Sequence, residues 1–162
     1  MDNVTYKINS GDRFALTGPT GSGKTSLVNI IMGINNADSG EIFINEYEPR
    51  TFSAAFQTNT LLDNLTVKEN IELVSNNKCK SELVDGTLLA KDLSGGMKRC
   101  AEIERAITAD SQIVILDEPF AGLDDKTKDK AIKYIDKNLN DRTLLLITHE
   151  ISDAKKLKCS IN

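Results

Sequence analysis

Apolar residues recur along the chain with two different periods, and the alternation between them predicts an α/β fold. Short continuous apolar runs at Gln112–Leu116 and Thr143–Thr148 are typical of buried parallel strands. Helical spacing of apolar residues follows Lys24 and Ser94 and recurs over 131–139. Strands that alternate with helices indicate βαβ units and a mostly parallel central sheet.

Weaker patterns add elements to this outline. Alternation predicts strands at Val4–Ile8 and Phe14–Thr17 joined by a turn, which would form a small N-terminal antiparallel β part. Two further strands are expected at Glu41–Asn45 and Thr51–Phe56, and a helix over Val67–Ser75. Thr66 is expected to cap that helix. The helix after Lys24 should bury one apolar stripe, formed by Leu27, Ile30, Ile31 and Ile34.

Length and charge narrow the class of protein. The chain has 162 residues, which favours a single domain over 1–162 with a sizeable core. Its net charge of −4 gives no basic footprint, and it has no Trp, so we expect no nucleic-acid partner. No apolar run approaches the roughly 18 residues of a membrane span, and the N-terminus lacks a signal-peptide pattern. Three separated cysteines fit neither a disulfide framework nor a metal site, which predicts a reduced, cytoplasmic protein.

One glycine-rich segment has the composition of a phosphate-binding loop. It reads Gly18-Pro-Thr-Gly-Ser-Gly-Lys24-Thr25 and lies between a predicted strand and a predicted helix. Glycines let backbone N–H groups converge on anionic oxygens, and the helix N-terminus adds positive potential. This context favours the motif over a plain glycine-rich turn, and it predicts that Lys24 contacts the β- and γ-phosphates while Thr25 helps to hold Mg²⁺. The expected nucleotide-binding residues here are Gly18, Pro19, Thr20, Gly21, Ser22, Gly23, Lys24, Thr25 and Ser26.

An acidic pair follows the apolar run that ends at Leu116. A carboxylate at the end of such a strand orients Mg²⁺ in phosphoryl-transfer enzymes, which is the role expected for Asp117. Glu118, one residue later, is placed to activate a water that attacks the γ-phosphate. An ordinary acidic turn would have the same sequence, but the phosphate-binding loop upstream favours the catalytic interpretation.

With both motifs present, the chain resembles the nucleotide-binding domain of the ATP-binding cassette (ABC) family. Further segments follow in the family's order: Phe56-Gln57 resembles the Q loop, Leu93-Ser-Gly-Gly-Met97 the signature motif, and Phe120-Ala-Gly-Leu123-Asp124 the D loop. Leu144-Leu-Leu-Ile-Thr-His149-Glu150 is similar to the switch-histidine segment. The resemblance covers nearly the whole chain and implies a P-loop NTPase fold with a shortened helical subdomain over about 60–108.

The resemblance also implies roles for individual residues. Gln57 would sense Mg²⁺ and the γ-phosphate, and with Thr25 and Asp117 it would complete the metal site. His149 would contact the γ-phosphate and position the attacking water, which makes it catalytic together with Glu118 and Lys24. The nucleotide held by a second subunit would be bound by Ser94, Gly95 and Gly96.

These roles imply an ATPase that works as a head-to-tail homodimer with two ATP molecules and Mg²⁺ at its interface. ATP would assemble the dimer and hydrolysis would release it. The resemblance implies the ATP-binding subunit of an ABC transporter whose transmembrane subunits are separate chains. Such a subunit is cytoplasmic and becomes peripheral on the inner face of the cell membrane when it docks.

Several features depart from the family pattern. Only 23 residues precede Lys24, so we do not expect the stretch that carries the family's adenine-stacking aromatic residue, and Tyr6 is the nearest candidate. Met97 replaces the glutamine of the signature motif, and few residues separate Gln57 from Ser94 or follow His149. These departures predict a minimal cassette that binds ATP mainly through its phosphates.

Two other functions remain open on the sequence. A soluble ABC-type ATPase could serve an assembly or regulatory partner away from the membrane, since the ATPase motifs do not encode cargo or direction. A nucleotide-binding module with little turnover is the other, although Lys24, Asp117, Glu118 and His149 are all present.

Overall fold

The computed structural model describes residues 4–44, 52–75 and 81–161. Its sheet contains five parallel strands in the order β2-β3-β4-β1-β5. The strands are β1 (Arg13–Thr17), β2 (Phe52–Ala55), β3 (Ile113–Asp117), β4 (Thr143–Thr148) and β5 (Ser160–Ile161). The helices are α1 (Lys24–Ile31), α2 (Val67–Glu72), α3 (Gly95–Thr108), α4 (Asp125–Asn138) and α5 (Ile151–Lys156), with a short 3-10 turn at Ala90–Asp92.

The sheet is covered on both faces, because successive side chains of a strand point to opposite sides. In β4, Leu144 and Leu146 pack in a cluster with residues of α3 and α4, whereas Leu145 and Ile147 pack in a second cluster with Val28 of α1. Burial on both faces explains why the β3 and β4 sequences are continuously apolar. The predicted parallel α/β architecture is confirmed.

Helices α2 and α3 pack together around a third apolar cluster. A capping box begins α2: the N–H of Glu69 donates to the Thr66 hydroxyl, and the Thr66 N–H donates to the Glu69 carboxylate at 2.7 Å. The predicted cap at Thr66 is therefore confirmed, although α2 ends at Glu72 rather than Ser75. A subdomain over about 60–108 and a single domain over 1–162 stay predictions.

Two predicted strands do not form. Val4–Ile8 has no regular secondary structure, so the predicted antiparallel β part is absent from the described residues. Tyr6 instead packs its ring on Phe14, with centroids 5.4 Å apart, on the flank of the α1-side cluster. Residues 41–44 are also irregular, while Asn45 and Thr51 lie outside the described residues.

The prediction that the buried apolar stripe of α1 extends to Ile34 is wrong. Helix α1 stops at Ile31 because Gly33 adopts a left-handed conformation with φ 72°. The Ile34 N–H donates to the Asn29 carbonyl and the Gly33 N–H to the Ile30 carbonyl, which is a Schellman motif. Ile34 therefore leaves the helix axis and is 57% exposed.

No helix within the described ranges combines the length and the apolar character needed to cross a bilayer.

Candidate functional site

The predicted functional segments lie at one edge of the sheet. Gly18 follows β1, Gln57 follows β2, Glu118 follows β3 and His149 follows β4. The carboxyl ends of parallel strands share an edge, which is where open α/β sheets bind ligands. The topology therefore gathers residues that are distant in sequence.

The glycine-rich loop is shaped by backbone conformations that favour glycine. Gly21 and Gly23 have φ values of 80° and 91°, in the left-handed region that carries no Cβ penalty for glycine. Gly23 is also the N-cap of α1 and supplies no side-chain acceptor to the first turn of that helix. The N–H groups at this helix start are thus left for an anion.

The Lys24 side chain folds back over its own loop. Its Nζ donates to the carbonyl oxygens of Gly18 at 2.8 Å and Pro19 at 3.0 Å, and the residue is only 7% exposed. Both partners are neutral, so the ammonium charge has no anionic acceptor among the hydrogen bonds of the described residues. A phosphate oxygen at this loop would supply one.

Thr25 and Asp117 come together although they are far apart in sequence. The Thr25 hydroxyl donates to Oδ2 of Asp117 at 2.8 Å. The other carboxylate oxygen, Oδ1, is buried and has no hydrogen-bond partner, and the Ser22 hydroxyl is in the same condition. A buried carboxylate oxygen without a partner is costly, and a divalent cation with oxygen ligands would satisfy it. The donor set therefore fits the predicted Mg²⁺.

Glu118 and His149 form the second contact of the site. Nδ1 of His149 lies 2.9 Å from Oε2 of Glu118. A carboxylate can only accept when it is ionised, and Nδ1 is then the donor of this contact. Glu118 has φ 48°, a strained value for a residue with a side chain, and its N–H donates to the Ile147 carbonyl at 2.9 Å. The backbone therefore fixes Glu118 beside the end of β4.

The backbone of the Q-loop segment is bound to one face of α3. Arg99 donates to the carbonyl oxygens of Phe56 and Gln57, the latter at 2.7 Å. Glu102, which is 1% exposed, accepts from the Thr60 N–H at 2.6 Å, and Arg105 donates to the Thr60 carbonyl at 2.9 Å. We call Arg99, Glu102 and Arg105 the α3 clamp. Sequence reasoning missed it, although charged residues three apart within an apolar helix were a usable signal.

The signature residues lie at the other end of α3. Ser94 is the N-cap, with its hydroxyl accepting from the Met97 N–H at 3.3 Å. Gly95 and Gly96 begin the helix, and a Cβ added at Gly95 would meet nothing within 4 Å. Among the hydrogen bonds of the described residues, none joins Ser94–Gly96 to the glycine-rich loop.

Two other predicted residues have roles visible in the fold. Asp124 caps α4, accepting from the N–H of Thr127 at 3.0 Å and from its hydroxyl at 2.7 Å. The Thr127 hydroxyl and N–H lower the pKa of Asp124. Gln57 is exposed, and within the described ranges its side chain makes no hydrogen bond to Thr25 or Asp117. The structure thus brings together two of the three predicted metal-site residues.

The chain is similar to known proteins in both sequence and fold. A family model described as ABC transporter matches residues 1–121. The ATP-binding cassette MJ0796, in a dimeric post-hydrolysis state bound to ADP and Pi, matches with a TM-score of 0.79 and 25% identity, over 95% of this chain and 82% of that one.

Two curated relatives are transporter components by name. The thiamine import ATP-binding protein ThiQ of Photorhabdus laumondii is 28% identical over 193 aligned positions, which cover 97% of this chain and 82% of that protein. The spermidine/putrescine import ATP-binding protein PotA of Legionella pneumophila is 32% identical, and the match covers 95% of this chain but only 49% of PotA. The chain thus spans about half the length of PotA.

The alignment with ThiQ is longer than the 162 residues of this chain, so ThiQ has residues within the matched region that have no counterpart here. The matched region is therefore shorter in this chain. Its motifs, their meeting at one edge of a parallel sheet and the family match together show that the chain belongs to the ABC transporter family, as one of its ATP-binding and ATP-hydrolysing cassettes.

Proposed function

We propose that this ABC ATPase powers transport through membrane-spanning subunits on separate chains, which it contacts at the cytoplasmic face of the cell membrane. The names of ThiQ and PotA, both import ATP-binding proteins, support this role. Their cargoes differ, so we assign no cargo to this chain. We further propose that residues 1–162 form one cassette and that the region of about 60–108 faces the transmembrane subunits.

ATP would bind through its phosphates at the loop from Gly18 to Ser26. The uncapped start of α1 offers N–H groups to the phosphate oxygens, and Lys24 would exchange two carbonyl partners for the β- and γ-phosphates. This exchange replaces neutral acceptors with charged ones, which form stronger hydrogen bonds with an ammonium group.

Thr25 and Asp117 would hold Mg²⁺, with Gln57 joining them. The partnerless Oδ1 of Asp117 supports this assignment, because a buried carboxylate oxygen needs a cation or a donor. When bound, the ion neutralises negative charge that builds up on the phosphate oxygens during transfer.

Glu118 and His149 would carry out the chemistry. Glu118 accepts a proton from the attacking water, which makes the water oxygen a better nucleophile towards the γ-phosphorus. With Nδ1–H of His149 donated to Glu118, Nε2 of the same ring is left to interact with the water or the γ-phosphate. The hydrogen bond between these two side chains is the observation that carries the proposal.

The second half of the nucleotide site would come from a partner copy. Ser94, Gly95 and Gly96 are at the exposed start of α3, where N–H groups of a long helix face outward. In the monomer they form no hydrogen bond with the glycine-rich loop of the described chain, so they would close over the ATP of a second molecule. The dimeric MJ0796 cassette supports this arrangement.

Glu118→Gln tests the proposal. It removes the base but keeps the shape of the side chain, so we expect hydrolysis to fall about 10²- to 10⁴-fold while ATP binding persists. Light scattering in Mg-ATP should then show a stable dimer for the variant and a monomer without nucleotide. Glu72→Gln, on the surface of α2, is the matched control and should behave as wild type. A variant that stays monomeric at saturating Mg-ATP contradicts the dimer, and one that hydrolyses ATP at the wild-type rate contradicts the role of Glu118.

The transmembrane partner needs a separate experiment. The tagged Glu118→Gln chain should be purified from its native cells in a buffer that contains detergent and ATP. Proteins that co-purify with it are then identified by mass spectrometry. An integral membrane protein recovered with the ATP-trapped form, and lost with Lys24→Ala, supports transport. A soluble partner with the same ATP dependence would instead indicate the assembly or regulatory role.

A further inference from the structure

One partly shielded ion pair connects the start of α4 to the start of α5. Nζ of Lys128 lies 3.2 and 3.3 Å from the two carboxylate oxygens of Asp153, and 3.5 Å from Oε2 of Glu150. The Lys128 and Asp153 side chains are only 14% and 4% exposed. Water and salt screen such a pair less than a surface pair, so the attraction between the two charges is stronger.

Both ends of this ion pair are close to functional segments. The Lys128 N–H donates to the carbonyl of Asp124 at 2.8 Å, which places Lys128 in the first turn of α4, directly after the D loop. The Asp153 N–H donates to the carbonyl of Glu150 at 3.1 Å, and Glu150 immediately follows His149. Lys128 therefore contacts the residue next to His149 and the first turn of the helix behind it.

His149 needs such support. Its side chain is 55% exposed, and Glu118 is its closest charged partner in the described part of the chain. Helix α5 has six residues and its N-cap, Glu150, supplies no side-chain hydrogen bond, and a helix this short is unstable unless tertiary contacts hold it. The Lys128 contacts supply that support at the end of α5 nearest to His149.

We propose that Lys128 is a positioning residue for His149: by binding Asp153 and Glu150 it fixes the start of α5 and thereby directs the imidazole towards Glu118. The inference rests on the role of His149 given under Proposed function. Partial burial lowers the pKa of Lys128, but the hydrogen bonds that Lys128 donates to Asp153 and Glu150, together with the negative charges of these two carboxylates, outweigh that effect, so the pKa is raised. Lys128 therefore stays charged at neutral pH.

The chain provides a matched control on the same two helices. Nζ of Lys156 lies 2.7 Å from Oδ1 of Asp129, which is a second bridge between α5 and α4. This pair is at the far end of α5 from His149, and its side chains are 49% and 55% exposed. Its loss removes an α4–α5 contact without touching the residues beside His149.

The experiment uses the full chain with its histidine isotopically labelled. His149 is the only histidine of the sequence, so every imidazole signal in an NMR spectrum belongs to it. We compare wild type with Lys128→Met, which keeps an apolar stem, with Lys128→Arg and with the control Lys156→Met. Turnover and KM for ATP are measured on the same samples.

We expect Lys128→Met to shift or split the His149 signals and to lower kcat about tenfold, with KM for ATP changed less than twofold. A lowered kcat with a nearly unchanged KM distinguishes positioning of the reacting group from a loss of ATP binding. Lys128→Arg should recover most of the rate, and Lys156→Met should match wild type in both readouts. Unchanged His149 signals and kcat in Lys128→Met would overturn the proposal.

Lys128→Met leaves the Asp153 carboxylate without its cation and could prevent folding. The double variant Lys128→Met with Asp153→Asn removes both charges and keeps the fold testable. It should still show altered His149 signals and reduced kcat, and wild-type values for both would overturn the proposal. His149→Ala separates the two hypotheses. If this variant retains full hydrolysis, the role of His149 is wrong, whereas its inactivity combined with normal behaviour of the Lys128 variants contradicts only the role of Lys128.

Discussion

Lys24 is nearly buried, and within the described residues its ammonium group donates only to backbone carbonyl oxygens. Burying a charge without an opposite charge is unfavourable, and the carbonyls of Gly18 and Pro19 compensate for this only in part. The ammonium group is therefore held ready for phosphate oxygens at a site where water competes little. A charge held in this way would strengthen a contact with phosphate oxygens, which supports the proposal that ATP binds mainly through its phosphates.

Lys24→Ala should lower ATP affinity at least tenfold, because the charge-assisted contacts to the phosphates are lost. The fold should persist, since the Lys24 ammonium contacts only loop carbonyls among the described residues. Isothermal titration with ATP measures the affinity, and circular dichroism checks the fold. Lys7→Ala, at an exposed position, is the control. Unchanged affinity would remove Lys24 from the site.

At the scale of elements, the α3 clamp links the Q-loop segment to the helix that begins with the signature residues. Arg99 binds the backbone of Gln57 and leaves the Gln57 side chain exposed. Glu102 is held between Arg99, at 3.4 Å, and the Thr60 N–H. Burial lowers the pKa of Arg105, against the opposing effect of the Glu102 charge. These contacts make the 56–60 segment and α3 one mechanical unit.

Glu102→Ala should lower the free energy of unfolding by about 3 kcal/mol, since it leaves the Thr60 N–H and Arg99 without their buried acceptor. Urea denaturation followed by circular dichroism measures this change. Lys98→Ala breaks the neighbouring surface pair with Asp63, at 3.5 Å, and should cost less than 1 kcal/mol. Equal losses in the two variants would show that the clamp adds nothing beyond an exposed ion pair.

The sequence correctly predicts those elements that are determined by residues close together in the chain. The capping box at Thr66 and the apolar run of β4 each depend on a few neighbouring residues. The end of α1 was also readable, since Gly33 is a helix-stop residue, but the apolar Ile34 favoured a longer helix. By contrast, Val4–Ile8 alternates as a strand does, yet no partner strand lies beside it in the described residues.

The candidate site also has some parts that local sequence predicts and others that it does not. Its motifs, from Gly18 to Thr25 and at Asp117 and Glu118, are recognisable because each is a short segment with a fixed local geometry. The α3 clamp and the Lys128 ion pair join residues that are 25 or more positions apart, and only the fold decides that they meet. Helical periodicity shows which face a charged residue occupies, but not which partner packs against that face.

At the scale of the whole molecule, a cluster of charges joins β1, α4 and the segment that follows α5. Asp136 accepts from Arg13 and from Lys158, the latter at 3.2 Å. The hydrogen bond from Arg13 and, to a lesser extent, the one from Lys158 lower the pKa of Asp136. The folded state therefore favours the ionised carboxylate, and the resulting stability is present at pH values above the unfolded pKa of about 3.9.

Asp136→Asn should reveal this acid dependence. The stabilisation is lost as the pH falls through the lowered pKa of folded Asp136, because protonation then removes the charge in both states. Wild type should therefore be more stable than the variant at pH 6, and the gap should close below pH 4. Thermal unfolding across this range provides the measurement, and parallel curves for the two proteins would contradict the assignment.

The left-handed backbone at Glu118 has a consequence for how the sequence of this protein can evolve. A side chain in that region costs about 1–2 kcal/mol, which Gly would avoid and Asn would reduce. Selection for thermostability alone would thus favour Glu118→Gly or Glu118→Asn, the very changes that remove the proposed catalytic base. Stability and turnover are opposed at this one position, so glutamate persists here only while hydrolysis itself is under selection.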